Sequence, residues 1–163
     1  MHKNSYSILA KVFHWGFVIL FVYGVVKQVE DITQLNDIFF FAFEIIFAII
    51  FLTLLLIRFI YMQKTQKTSL PLQTSYMQRI AAKFVHLTMY LLLFLTAISG
   101  ILIGILYWIG FKNGIFIEYV IYVHEFVVNL LYLFIFIHII AATYHRLKKD
   151  GVWSSMVPFL KEK

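Results

Sequence analysis

The stretch FIEYVIYVHEFVVNLLYLFIFIHIIAATY, from Phe116 to Tyr144, decides the fold. As a helix rising about 1.5 Å per residue it is long enough to cross a hydrocarbon layer about 30 Å thick. It carries His124 and His138 with Leu131 between them, and His145 follows directly after it. A helix turns about 100° per residue, so the spacing of fourteen leaves the two imidazoles within roughly 40° of one face and about 21 Å apart. Seven more residues bring His145 onto the same stripe. Ionisable groups at such depth are costly, face the bundle interior and serve a function. Two imidazoles stacked in an apolar bundle suit the holding of two flat metal cofactors, one above the other.

Composition widens the same reading to the whole chain. Of 163 residues, 62% are hydrophobic and 13% charged, whereas soluble domains carry about 25% charged residues. The absence of cysteine excludes disulfides, thiolate-bound iron–sulfur clusters and covalent c-type haem attachment, and leaves histidine as the main metal ligand. Zinc fits poorly, because a structural zinc needs four clustered ligands and these histidines are dispersed over two depths. No Ser/His/Asp or paired-carboxylate arrangement for hydrolysis is present.

Apolar runs over 8–26, 36–61, 80–107 and 116–144 predict a single-domain, all-α integral membrane four-helix bundle. The net charge of +6 reports topology rather than nucleic-acid binding. With both termini and the middle loop on one side, that side collects Lys3, Lys11, Arg58, Lys64, Lys67, Arg79, Lys83, Arg146, Lys148, Lys149, Lys161 and Lys163, and the other only Lys27 and Lys112. The positive-inside rule then places both termini in the cytoplasm, as expected of a multi-pass protein of the bacterial inner membrane. His14 and Trp15 within the first run, and no small-residue cleavage pattern after it, argue for a retained helix rather than a signal peptide. The segment after Asp150 and Gly151, with Trp153 and Phe159, is expected to lie along the inner interface.

Alternating helix direction assigns each polar residue a depth. His14 and His138 are level in the inner half, each about 9 Å from the inner helix ends, with His86 at a similar depth. Glu44 and His124 are level in the outer half, and Gly24 and Gly100 fall near them. Two axial imidazoles on one iron porphyrin must come from different helices at matching depth, a condition that His14 and His138 meet. Gly24, Gly100 and Gly104 serve either close helix packing or room for a flat ligand. Arg58, Arg79, Lys83 and Arg146 at the inner edge suit carboxylates or lipid phosphates, and Trp15, Tyr61, Tyr107, Tyr119, Tyr122 and Tyr144 read as interfacial aromatics.

These marks in order (Lys11 before His14-Trp15, Arg58 closing the second helix, His86-x-x-x-Tyr90 with Gly100, then His124-Glu125, His138, His145 and Asp150-Gly151) resemble the bacterial cytochrome b561 family, four-helix dihaem membrane cytochromes related to hydrogenase b-type subunits. The resemblance implies an inner haem b held by His14 and His138 and an outer one held by His124 with a histidine of the second helix. Where the family places that second histidine, fourteen residues before Arg58, this chain has Glu44. Three arrangements stay open for the outer half: no haem with Glu44 paired to His124, a haem ligated mainly by His124 with Glu44 weak opposite it, or a ligand from elsewhere. For His86 the resemblance implies a place beside quinone or haem propionates.

The expected activity is electron transfer between a quinone pool and an outer-side redox partner or small molecule. Family members include some that oxidise superoxide and reduce ubiquinone. Two other classes stay open: a haem-bearing anchor subunit for a peripheral dehydrogenase or hydrogenase, and a haem-free scaffold or proton relay using His14, Glu44, His86 and His124. Membrane lipid is a partner in every case, and nucleic acid in none.

Overall fold

Side-chain caps mark the start of three of the four long helices, and a glycine without one precedes the fourth. The computed structural model describes residues 6–65, 70–71 and 74–162. Helix α1 spans Ile8–Val26, α2 Ile38–Thr65, α3 Tyr76–Trp108, α4 Ile115–Lys148 and the short α5 Val152–Met156. A 3-10 turn, Ile32–Asn36, lies between α1 and α2. Ser7 caps α1 by accepting from the Ala10 amide at 3.1 Å, and Asp37 caps α2 by accepting from the Phe39 and Phe40 amides. Ser75 and Gln78 form a reciprocal capping box at the start of α3. At the far end of α4, Lys149 adopts the left-handed conformation at φ 55° and Gly151 follows at φ 86°, which turns the chain back.

The first four helices are each long and apolar enough to span a membrane. Their lipid-facing sides expose large apolar residues such as Ile19, Ile46, Leu91 and Phe136, the pattern of helices that meet hydrocarbon rather than water. All observed ends lie within four residues of those expected from sequence. The inner ends of α2, α3 and α4 each run four residues further, to Thr65, from Tyr76 and to Lys148. Hydropathy marks the limit of the hydrocarbon, whereas backbone hydrogen bonding carries a helix on through its polar last turn. Lys3 and Lys67, both counted toward the inner charge, lie outside the described residues, as do His2 and Lys163.

Helix α3 packs along both α2 and α4, and α1 packs along α2, but the backbones of α1 and α4 scarcely approach each other. At mid-depth Phe17, Phe51, Leu55, Leu92, Leu93, Ala97, Val127 and Leu131 form the main core, and Leu131 is fully buried. Leu35, Tyr107 and Ile117 form a second cluster under the 3-10 turn at the outer end. Tyr107 is not an interfacial aromatic here: it is 5% exposed and its hydroxyl donates to Asn36 Oδ1 at 2.8 Å, tying α3 to that turn. A buried phenol needs such a partner, and Asn36 supplies it.

Candidate functional site

Three histidines, His14 of α1, His86 of α3 and His138 of α4, gather at the open seam between α1 and α4. In the inner half, His14 of α1 and His138 of α4 face each other with ring centroids 6.5 Å apart and planes inclined at 63°. His86 of α3 lies closer to His138, at 5.0 Å between centroids. Metal–nitrogen bonds of about 2 Å, plus about 1.1 Å from each nitrogen to its ring centre, set two axial imidazoles roughly 6.2 Å apart across one iron. The His14–His138 spacing fits that figure and the His86–His138 spacing is too short for it.

Hydrogen bonds assign the proton on two of these three rings. His86 Nδ1 lies 2.7 Å from the Ala82 carbonyl, which can only accept, so Nδ1 carries the proton and Nε2 is a bare lone pair. His14 Nδ1 lies 2.9 Å from Arg58 Nη2, and a guanidinium can only donate, so here the proton sits on Nε2. Ligation through His14 Nε2 therefore requires Arg58 to release Nδ1 and the proton to transfer there. A guanidinium freed beside an iron porphyrin is well placed for its propionates. Arg58 meanwhile lies over the Phe17 and Tyr90 rings, at 5.7 and 5.2 Å, with its buried Nε unpartnered. Sequence reading put Arg58 at the membrane edge; its place against His14 comes from α1 and α2 crossing at that depth.

The chain after α4 closes the inner end of the seam. Trp15 Nε1 donates to the Met156 carbonyl at 3.3 Å and its ring packs on Phe159 at 4.9 Å, while Arg146 lies over Trp153. His145 Nδ1 pairs with Asp150 Oδ2 at 2.7 Å, so this histidine is anchored rather than freely solvated, and it fixes the turn into α5. Trp15 thus faces the tail, a contact that no local pattern announces.

In the outer half, a cavity of about 630 Å³ opens between the helices, lined by Glu44, Thr96, Gly100, His124 and Glu125 and mostly by apolar side chains. Gly100 faces the His124 ring, where an added Cβ would meet Cε1 at 3.5 Å. Helix α2 uses the other two glycines as notches: a Cβ at Gly24 would lie 3.1 Å from the Phe47 ring, and one at Gly104 would meet the Ile45 Cδ1. Gly24 and Gly104 therefore seat side chains of α2, and both also line the cavity beside Gly100.

Ser99, which sequence reading passed over, orients His124. Its hydroxyl lies 2.6 Å from the Leu95 carbonyl and 3.1 Å from that of Thr96, which engage its single proton, and 2.8 Å from His124 Nδ1. The imidazole must therefore donate from Nδ1, leaving Nε2 as a bare acceptor. Glu44 and His124 line the same cavity without a direct bond, and Glu44 Oε1 and Thr96 Oγ1 are both buried without a partner. A Ser four residues after a carbonyl in an apolar helix, level with a histidine, is the signal that would have found this pair.

The inner donor set suits a haem held by His14 and His138. The outer set suits a second such haem poorly: the cavity wall offers one imidazole against three carboxylates in Glu30, Glu44 and Glu125, with Lys27 near Glu44. No curated protein and no solved structure matches the chain. The profile of the family described as prokaryotic cytochrome b561 matches residues 5–159, nearly the whole sequence. The chain belongs to the prokaryotic cytochrome b561 family, the multi-pass bacterial membrane proteins that work as b-type cytochromes in electron transfer.

Proposed function

We propose that this protein is an inner-membrane cytochrome with a haem b between His14 and His138, passing electrons between the quinone pool and a redox partner on the outer side. The 6.5 Å separation of these two rings across the α1–α4 seam carries the reading. The haem would supply one-electron chemistry at iron, and the protein supplies the rest: ligands, orientation and exclusion of water. Leu131, Phe51 and Leu92 wall the core on the outer side of the pair, and α5 with Trp15 and Phe159 covers its inner side. Arg58 is partly buried beside His14, and its guanidinium would hold the carboxylates of the haem. His86 stands at the margin of this site as a hydrogen-bond acceptor through Nε2.

With the basic ends of α2, α3 and α4 in the cytoplasm, the haem would sit near the inner leaflet. A pyridine haemochrome assay with a reduced-minus-oxidised spectrum on haem-replete protein tests the reading. One low-spin b-type haem per chain, lost in His138→Ala, is expected; a preparation without Soret or α bands would refute it.

A further inference from the structure

Among the described residues, every histidine but one has its Nδ1 in a hydrogen bond: His14 with Arg58, His86 with the Ala82 carbonyl, His124 with Ser99 and His145 with Asp150. His138 is the exception. It has ring contacts with His14 and His86 and, within those residues, no hydrogen bond. An imidazole that binds a metal through Nε2 keeps its proton on Nδ1, and that N–H is given to an acceptor that fixes the ring and raises its basicity. His138 therefore lacks the partner that a ligand needs. Unlike His86, it does not use the carbonyl four residues before it in its own helix. Arg58, the cation of this cluster, can only donate.

The acceptor that the fold sets against His138 is on α3. His86 gives its Nδ1 proton to Ala82 at 2.7 Å, so its own helix backbone fixes the tautomer and leaves Nε2 as a lone pair. An N–H···N bond of about 2.9 Å, with about 1.1 Å from each nitrogen to its ring centre, puts two hydrogen-bonded imidazole centres about 5.1 Å apart. The His86–His138 centres are 5.0 Å apart. The spacing that is too short to bridge an iron is thus the length of a direct bond between the rings. The rings meet edge to face at 79°, and a turn about χ2 of His138, a torsion with broad wells, makes that bond. The same tautomer is ill suited to a carboxylate or a carbonyl oxygen, because a bare lone pair has no proton to offer either.

We propose that His86 is a positioning residue for the inner haem: its Nε2 accepts the Nδ1–H of His138, holds that ring in its ligating orientation and makes it a stronger donor to iron. The Ala82 carbonyl, His86 and His138 then form one chain of hydrogen bonds in which each bond polarises the next. The proposal rests on the haem reading above and gives His86 a role within it. A stronger imidazole donor favours ferric over ferrous iron, so His86 holds the haem potential down.

The test uses the full chain, haem-replete, in lipid nanodiscs, with potentiometric titration and electron paramagnetic resonance of the ferric haem in His86→Phe and His86→Gln. His86→Phe keeps a ring and loses the acceptor. It should retain one low-spin haem, shift its g-values and lower the ferric-to-ferrous ratio at a given potential about tenfold, a rise of about 59 mV for one electron. His86→Gln, whose amide oxygen can accept, should stay close to the unsubstituted protein in both measurements. A role in packing alone predicts no movement in His86→Phe, and a His86 that donates to a haem carboxylate predicts a fall in potential; either result, or His86→Gln behaving as His86→Phe does, would overturn the proposal. In the ferrous, diamagnetic protein with isotope-labelled histidine, NMR should show a scalar coupling between His138 Nδ1 and His86 Nε2, and its absence overturns the proposal even where a variant fails to fold. A preparation without b-type haem refutes the ligand reading itself, whereas one low-spin haem with an unmoved potential in His86→Phe refutes only the role of His86.

Discussion

Removing His14 and removing His86 should have opposite consequences, although both rings lie within the same cluster around His138. The ring centroids are 6.5 Å apart for His14–His138 and 5.0 Å for His86–His138, against roughly 6.2 Å required across an iron with two axial imidazoles. His14 misses that figure by about 0.3 Å, within ordinary side-chain adjustment, while His86 falls about 1.2 Å short and its ring is tethered by the 2.7 Å bond from Nδ1 to Ala82. His14→Ala should therefore lower the haem content by one per chain, or leave a residual five-coordinate haem whose electron paramagnetic resonance moves from low-spin to high-spin. His86→Ala should keep one low-spin haem per chain. Exogenous imidazole should restore the low-spin signal in His14→Ala, because the vacated position lies in the open seam. Full low-spin occupancy in His14→Ala, with loss of it in His86→Ala, would show that α3 rather than α1 supplies the second ligand, and the assignment built on centroid spacing would be wrong.

Glu44→His restores a second imidazole at the outer depth and should raise pyridine haemochrome content from one haem toward two per chain; an unchanged value in a folded variant contradicts the ligand-pair account of that half. Leu131→Ala empties the centre of the core, where the side chain is 0% exposed, and should cost about 2–5 kcal/mol, read as a lowered thermal midpoint in detergent. Ser75→Ala removes the capping box of α3 and should cost about 1 kcal/mol by the same measurement, with haem content unaltered. In the outer loop, bonds from the Thr33 hydroxyl and amide hold the Asp31 carboxyl below its ordinary range. A depressed folded-state pKa means that the 3-10 turn is supported above the ordinary carboxylate range and loses that support as pH falls through the folded value. The Asp31 side-chain resonance should follow this course in an NMR titration, and Thr33→Val should move its midpoint upward.

Much of the architecture is already present in the order of residues. In a bilayer every backbone polar group must be satisfied within its own segment, so an apolar run of sufficient length is a helix whatever its neighbours do. That is why the four spans were legible to within four residues, and why residue counts from the helix ends brought His14 level with His138 and Glu44 level with His124. The departure at Glu44 is equally a property of the sequence, visible by its distance from Arg58.

Counting fixes depth but not azimuth or distance between helices. Only the packing of α3 between α2 and α4, with α1 left apart from α4, decided that His86 would crowd His138 while His14 stands an iron's width away. Only the crossing of α1 and α2 turned Arg58 inward onto His14, and only the fold-back of α5 placed Met156 and Phe159 on Trp15. Gly24 and Gly104 show the same division: their smallness is written in the chain, but what fills the notch is a side chain of α2, a partner distant in sequence and set by tertiary packing. The tautomers of His14, His86 and His124 belong to that second class as well, because the proton goes to whichever nitrogen finds an acceptor, and those neighbours are assembled by the fold.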